Sequence, residues 1–272
     1  MSTVAITIPR RRFTEIDFLL ISVWLTFWVL DVVLKPPVFM AWAVASGGLM
    51  IARHLYFVVY RGEKQEGDLV IAAAIPVLVL FTGFSSWIVT MTPVTLDSQL
   101  AALDHGIAPL VRTWTTQHLP VYWLLCLVYD SLPFAAMLCA AFLRGKDRWR
   151  LGYAIILGGL LVTPLYLLFP AVGPAHIGDP NAPRNCMPSM HLTWALLLWV
   201  NSKSWMKWLT GIYAALTAIA TLATGEHYAL DLLMALPFVW VISMLVRSRA
   251  AAIVIPGAGN EDPSEGGSAK PV

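Results

Sequence analysis

Long apolar stretches follow one another along the chain, separated by short connections rich in Pro, Gly and charged residues. A helix that crosses a bilayer needs about 20 consecutive apolar residues, so each stretch is a candidate membrane span. The pattern predicts about eight spans, of which the sixth is short: 17–34, 38–60, 69–91, 121–143, 151–169, 188–202, 205–224 and 229–246. The predicted fold class is therefore all-α, a polytopic transmembrane helix bundle.

The positions of lysine and arginine predict the orientation, because short cytoplasmic loops carry an excess of both. Basic clusters precede the first span, fill three connections and follow the last span: 10–12, 61–68, 144–150, 201–207 and 247–249. An even number of spans places all of them on one side. We therefore expect a bacterial-type plasma membrane protein with both termini in the cytoplasm and with connections 35–37, 92–120, 170–187 and 224–227 outside.

The N-terminal arginines and the apolar run after them also fit a secretory signal peptide. The run from Asp17 to about Leu34 is long for such a peptide, and no A-x-A-like cleavage site follows it. We interpret this run as an uncleaved first anchor. The Gly/Pro/Ser-rich, acidic segment 250–272 is predicted to be a disordered cytoplasmic tail.

The connection 94–119 is too polar to span a membrane, but its leucine and isoleucine residues recur at helical spacing. The repeating positions are Leu96, Leu100, Leu103, Ile107 and Leu110. This periodicity predicts an amphipathic helix in the outer interface of the membrane. Its polar residues Asp104 and His105 are expected to be solvated.

The composition agrees with a membrane protein and excludes several other classes. Of the 272 residues 58% are hydrophobic and 12% charged, against roughly 25% charged in soluble domains. The net charge of +2 is too small to indicate nucleic-acid binding. The three cysteines, Cys126, Cys139 and Cys186, follow no metal-ligand spacing. We expect no cofactor, and we place Cys186 in an exposed outer loop.

Two polar motifs at the outer ends of predicted spans remain to be explained. The first is "CMPSMH", with Ser189 and His191, and the second is "TGEHYALD", with Glu226, His227 and Asp231. The predicted topology places both motifs on the same side of the membrane, although the charge count did not use these histidines.

The spacing of His227 and Asp231 brings the two side chains onto one helical face. A carboxylate bonded to one ring nitrogen fixes the tautomer and leaves the other nitrogen as a base or nucleophile. An unpaired carboxylate in an apolar helix is costly and usually functional. A structural interfacial pair remains the alternative interpretation.

Pro188 suits the first turn of a helix, and the free backbone N–H groups beside Ser189 would then form an anion site. His191 would lie near a bound phosphate and could donate a proton. The alternative is an ordinary interfacial histidine.

"PSMH" followed by "GEHYALD" resembles the second and third signatures of the type 2 phosphatidic acid phosphatase (PAP2) superfamily, P-S-G-H and S-R-x5-H-x3-D. Met190 in place of Gly, the H-Y-x-x-D form and "LFPAVGP" at 168–174 resemble the branch of inositol phosphorylceramide and sphingomyelin synthases. The resemblance covers roughly residues 150–246. It implies a six-helix core without metal, here a catalytic domain at 69–249 preceded by a two-helix extension at 1–68.

The resemblance also implies roles for individual residues. His227 would be the nucleophile that forms a phosphohistidine, and Asp231 would orient it. His191 would protonate the leaving alkoxide and then deprotonate the acceptor. Ser189 would bond a phosphoryl oxygen. The substrate would be a membrane lipid phosphate or phosphodiester, and the acceptor either water or a lipid alcohol.

This chain departs from the superfamily pattern in its cations. The first signature, K-x6-R-P, is absent, and Thr221 occupies the place of the arginine in the third. The remaining candidates for phosphate binding are Arg184, His176 and the helix start at Pro188. Fewer cations favour phosphodiester or headgroup-transfer chemistry over monoester hydrolysis, and a diverged or weakly active enzyme is an equal alternative. A non-catalytic transporter or scaffold on the same fold is the alternative.

Overall fold

The computed structural model describes residues 91–143 and 145–252, together with residues 48, 51, 52, 54–60, 62, 74, 84, 85 and 87–89. All regular secondary structure in these residues is helical. A π-helical turn covers Tyr56–Tyr60. The predicted span 17–34, most of 38–60 and 69–91, and nearly all of the predicted tail lie outside the described residues.

Eight α-helices follow in the described part from residue 91 onward. They are α1 (Asp97–Asp104), α2 (Ile107–Gln117), α3 (Leu119–Asp130), α4 (Leu132–Phe142), α5 (Gly145–Leu168), α6 (Met190–Asn201), α7 (Trp205–Thr224) and α8 (Ala229–Ala252). A 3₁₀ turn, Pro174–His176, lies between α5 and α6. Helix α8 extends slightly past residue 250, where the disordered tail was predicted to begin.

Within the described residues, three helices are long and apolar enough to cross a bilayer: α5 over Asp147–Leu168, α7, and α8 over Ala229–Arg247. Helices α3 and α4 form a fourth candidate, bent by 55° between them. The sequence predicted one continuous span at 121–143. The break occurs because Pro133, in the first turn of α4, has no N–H with which to continue the hydrogen bonds of α3. Three or four apolar helices are compatible with an integral membrane protein.

Helix α6 forms the centre of the bundle. It contacts α4, α5, α7 and α8, and its residues from Leu192 to Leu198 are all buried. A helix that is apolar on every side is typical of such a position. Its 12 residues give a length of about 18 Å, short of a bilayer core. The sequence predicted a span at 188–202, whereas the structure shows a short helix enclosed by the others.

The outward faces of the helices carry large apolar side chains. Trp123 on α3, Trp208 on α7 and Trp240 on α8 are 67%, 79% and 63% exposed. Such surfaces are unfavourable in water and suit contact with lipid.

The predicted single amphipathic helix at 94–119 is two helices. The chain turns between α1 and α2 at His105 and Gly106, both of which have left-handed backbone conformations. Leu103, Ile107 and Leu110 remain exposed, whereas Asp104 is 2% exposed. The expectation of a solvated Asp104 was therefore wrong, because this helix turns a partly acidic face toward the protein.

Candidate active site

The connections α5–α6 and α7–α8 meet at one end of the bundle. Ser189 N donates to Asp231 O at 3.2 Å, and Ala175 N donates to Gly225 O at 2.8 Å. The two motifs that the sequence placed on one side are thus in direct backbone contact. Which side of the membrane this end faces stays a prediction.

His227 and Asp231 form a buried pair at the start of α8. Gly225 ends α7 with a positive φ of 79°, and His227 lies in the short connection before Ala229. His227 Nδ1 is 3.6 Å from Asp231 Oδ2, and the two residues are 4% and 0% exposed. The predicted proximity is confirmed, but the predicted shared helical face is wrong, because His227 precedes the first residue of α8. Since Nδ1 faces the carboxylate, Nε2 is the nitrogen left for chemistry.

Cys186 completes this pair, which the sequence did not reveal. Its thiol donates to Asp231 Oδ2 at 2.6 Å and lies 3.5 Å from His227 Nδ1. The residue is 1% exposed, so it is not the accessible loop cysteine that was expected. Burial and the neighbouring Asp231 raise the pKa of the Cys186 thiol well above its usual range. The thiol therefore stays protonated and acts as a hydrogen-bond donor.

The carboxylate of Asp231 is held on one side only. Tyr228 N donates to Oδ2 at 2.7 Å, while Oδ1 is buried without a hydrogen-bond partner among the described residues. One ligand atom each of Cys186, His227 and Asp231 lies within 4.8 Å of the others. Sulfur, imidazole and carboxylate are ligands that zinc accepts, so these three residues form a cluster that could hold a metal ion.

The start of α6 supplies the second half of the site. Ser189 is the N-cap, and its side chain accepts a hydrogen bond from Leu192 N at 3.4 Å. Pro188 therefore precedes the cap instead of occupying the first turn. His191 lies in that first turn and stacks on Tyr129, with ring centroids 3.8 Å apart. His191 follows Ser189 by two residues in the chain.

The two predicted phosphate-binding cations lie in different places. His176 Nε2 is 3.0 Å from Oε1 of Glu226, the residue that precedes His227 in the chain. Arg184 is 6% exposed and bonds to the carbonyls of Thr92 and Ala182. It lines a cavity of about 250 Å³ that also contains Asp97. The described contacts of Arg184 therefore do not include His191 or His227.

Arg112 is a cation at the site that sequence reasoning missed. A Cβ atom on Gly225 would lie 3.0 Å from Arg112 Nη1 and 2.8 Å from Ala175 Cβ. The guanidinium group therefore lies against the connection that carries His227. The only signal in the sequence was a basic residue within the segment 94–119.

Two buried carboxylates of α1 hold the site connections in place. Asp97 Oδ1 accepts hydrogen bonds from Val172 N and Gly173 N, both at 3.1 Å, and from the Tyr228 hydroxyl at 3.0 Å. Asp104 accepts from Ala108 N at 2.8 Å and from Ala229 N at 2.7 Å, so it caps α2 and α8 together. We refer to Asp97 and Asp104 as the α1 carboxylates.

Residues 177–245 match the family model of the PAP2 superfamily. The match contains Arg184, Ser189, His191, His227 and Asp231, and excludes His176, Arg112 and the α1 carboxylates. No curated protein and no solved structure matches the chain. The matched segment favours a phosphatase- or phosphotransferase-type function and covers less than half of the chain.

Proposed function

We propose that this protein is an integral membrane enzyme that transfers or hydrolyses a phosphoryl-containing headgroup of a lipid phosphate or phosphodiester. The observation that carries the proposal is the contact between the starts of α6 and α8. It places the buried His227–Asp231 pair beside Ser189, two residues before His191. The match to the PAP2 superfamily supports the same class of chemistry.

In the first step, Nε2 of His227 attacks phosphorus and forms a P–N bond. The bond from phosphorus to the leaving alkoxide breaks, and His191 gives that oxygen a proton. Asp231 stabilises the positive charge that develops on the imidazole of His227. In the second step, water or a lipid alcohol loses its proton to His191 and attacks phosphorus, which releases His227.

Phosphoryl transfer also needs positive charge or dipoles around the phosphoryl oxygens. We assign this role to Ser189 and the start of α6, supported by Arg112 and His176 beside the connection of His227. Arg184 would contribute only if substrate binding moved it from the carbonyls of Thr92 and Ala182. Among superfamily chemistries, transfer of a phosphodiester headgroup suits this small number of cations best.

The test is turnover of a radiolabelled lipid phosphate or phosphodiester by the purified protein, with diacylglycerol, ceramide and water as competing acceptors. We expect His227→Asn to lower turnover by at least about 10³-fold, because the nucleophile is lost. His105→Asn is the matched control, since His105 is exposed and has a left-handed conformation that asparagine tolerates.

An acid-labile phosphohistidine should accumulate in the wild type and be absent from His227→Asn. Turnover that survives this substitution would refute the role of His227. A wild-type protein that turns over no lipid phosphate would favour the transporter or scaffold alternative.

A further inference from the structure

A second polar cavity lies at the opposite end of the bundle from the histidines. It has a volume of about 200 Å³ and lies between α5, the α6–α7 connection and α8. Along α8, Ser243 at this cavity is about 18 Å from Asp231, at 1.5 Å per residue. The cavity is therefore separate from the proposed active site.

The charge of the lining residues is positive. Arg150, Lys203 and Arg247 line the cavity together with a single carboxylate, Asp147. Asp147 bonds to Lys203 and lies 3.8 Å from Arg150 Nη1. Three cationic groups and one carboxylate leave a net charge of +2, so the cavity attracts anions.

Two buried hydrogen-bond donors line this cavity. Arg150 Nε and Ser243 Oγ are buried and have no hydrogen-bond partner among the described residues. A buried donor without an acceptor is costly, and native proteins rarely leave one. The donors lie on α5 and α8, two helices whose shared cavity has room for an acceptor between them.

We propose that this cavity binds a phosphate group, with phosphate oxygens accepting hydrogen bonds from Arg150 Nε and Ser243 Oγ. Arginine is well suited to phosphate, and its hydrogen bonds to charged acceptors are among the strong ones. Lys203 and Arg247 add positive charge. Asp147 is paired with Lys203 and Arg150, and this pairing reduces the repulsion between its carboxylate and the anion.

The phosphate can come from an anionic phospholipid or from solution. The positive-inside prediction puts this end of the bundle at the cytoplasmic leaflet, where basic pockets between helices bind anionic headgroups. Both sources share the same chemistry, so the experiment uses two probes. One is inorganic phosphate in detergent, and the other is a nanodisc containing phosphatidic acid, compared with one of pure phosphatidylcholine.

The measurement is the thermal unfolding midpoint of the full-length protein, with native mass spectrometry to count bound lipids. Each probe should raise the midpoint of the wild type if its phosphate reaches the cavity. Arg150→Gln should weaken that binding roughly ten- to hundredfold, because one charge-assisted hydrogen bond is lost. Ser243→Ala removes only a hydroxyl and should weaken it less, which provides a second variant if Arg150→Gln folds poorly.

Lys207→Gln is the matched control. Lys207 is a cation in the first turn of α7, lies 6.0 Å from the centroid of the Trp199 ring and does not line the cavity. An effect of Arg150→Gln on phosphatidic acid alone identifies a lipid headgroup, and an effect on inorganic phosphate identifies a soluble anion. If Arg150→Gln and Ser243→Ala respond to both probes as Lys207→Gln does, the site does not exist. We expect binding at the histidines to be the same in all these variants, so that it cancels in the comparison.

Discussion

Two regions build the same end of the bundle and contribute different things to it. The starts of α6 and α8 carry the proposed reactive groups, among them His191, His227 and Asp231. The α1–α2 segment carries no such motif, but its carboxylates accept hydrogen bonds from the backbone of the site connections. The proposed reactive residues can therefore be recognised as short motifs, whereas their relative position depends on a segment that has none.

The two regions also differ in how their acidic residues are satisfied. Asp231 is bonded on Oδ2 and leaves Oδ1 without a described partner, which is a costly arrangement kept at functional sites. Asp97 and Asp104 use both of their oxygens on backbone or hydroxyl donors. This contrast predicts that the α1 carboxylates act on stability and Asp231 on chemistry, which substitutions can separate.

The largest loss of stability is expected from Asp97→Ala. It leaves the N–H groups of Val172 and Gly173 and the Tyr228 hydroxyl without their acceptor in a buried place. We expect the free energy of unfolding to fall by roughly 3–5 kcal/mol, measured by thermal or denaturant unfolding in detergent. Asp179→Ala, in an exposed loop, should change it by less than about 0.5 kcal/mol. Equal effects of the two would mean that the α1 carboxylates do not hold the site.

A smaller effect is expected from Gly173→Ala, which tests the contact between the two site connections. Gly173 has a φ of 89°, and a Cβ there would lie 2.3 Å from Glu226 O. Backbone strain and this clash should together cost about 2–4 kcal/mol. Gly178 has the same φ of 89° but nothing within 4 Å of an added Cβ. Gly178→Ala should therefore lower the free energy of unfolding through backbone strain alone. The difference between the losses for Gly173→Ala and Gly178→Ala measures the clash with Glu226.

The smallest effect is expected from Arg112→Gln. This substitution tests whether α2 contributes positive charge for phosphate binding in addition to supporting the site connections. Because Arg112 is exposed, we expect an increase in KM of about five- to tenfold, with kcat and the unfolding midpoint nearly unchanged. Arg112→Lys should recover part of the loss. If Arg184→Gln raises KM and Arg112→Gln does not, the phosphate-binding charge comes from Arg184, and α2 is only a support.

Much of the fold could be predicted because apolar periodicity is a local property. The spans at 151–169, 205–224 and 229–246 correspond to α5, α7 and α8, as their length and hydropathy require. The predictions for 121–143 and 188–202 differed from the structure for reasons that a hydropathy profile does not detect. Pro133 breaks the first, and the second is apolar because protein surrounds it. The predicted eight spans and six-helix core stay predictions.

Some features of the candidate site could likewise be predicted from the sequence, and others could not. The sequence alone indicated that His227 and Asp231 are close, because they are four residues apart in the chain, although His227 lies just before α8 and not in it. It also brought His191 to the same end through the alternation of loops. Only the tertiary structure decided that Cys186 donates to Asp231, that Arg112 lies against Gly225 and that the α1 carboxylates are buried. These contacts join residues far apart in the chain, and their partners are mostly backbone atoms, which every residue carries and no sequence motif records.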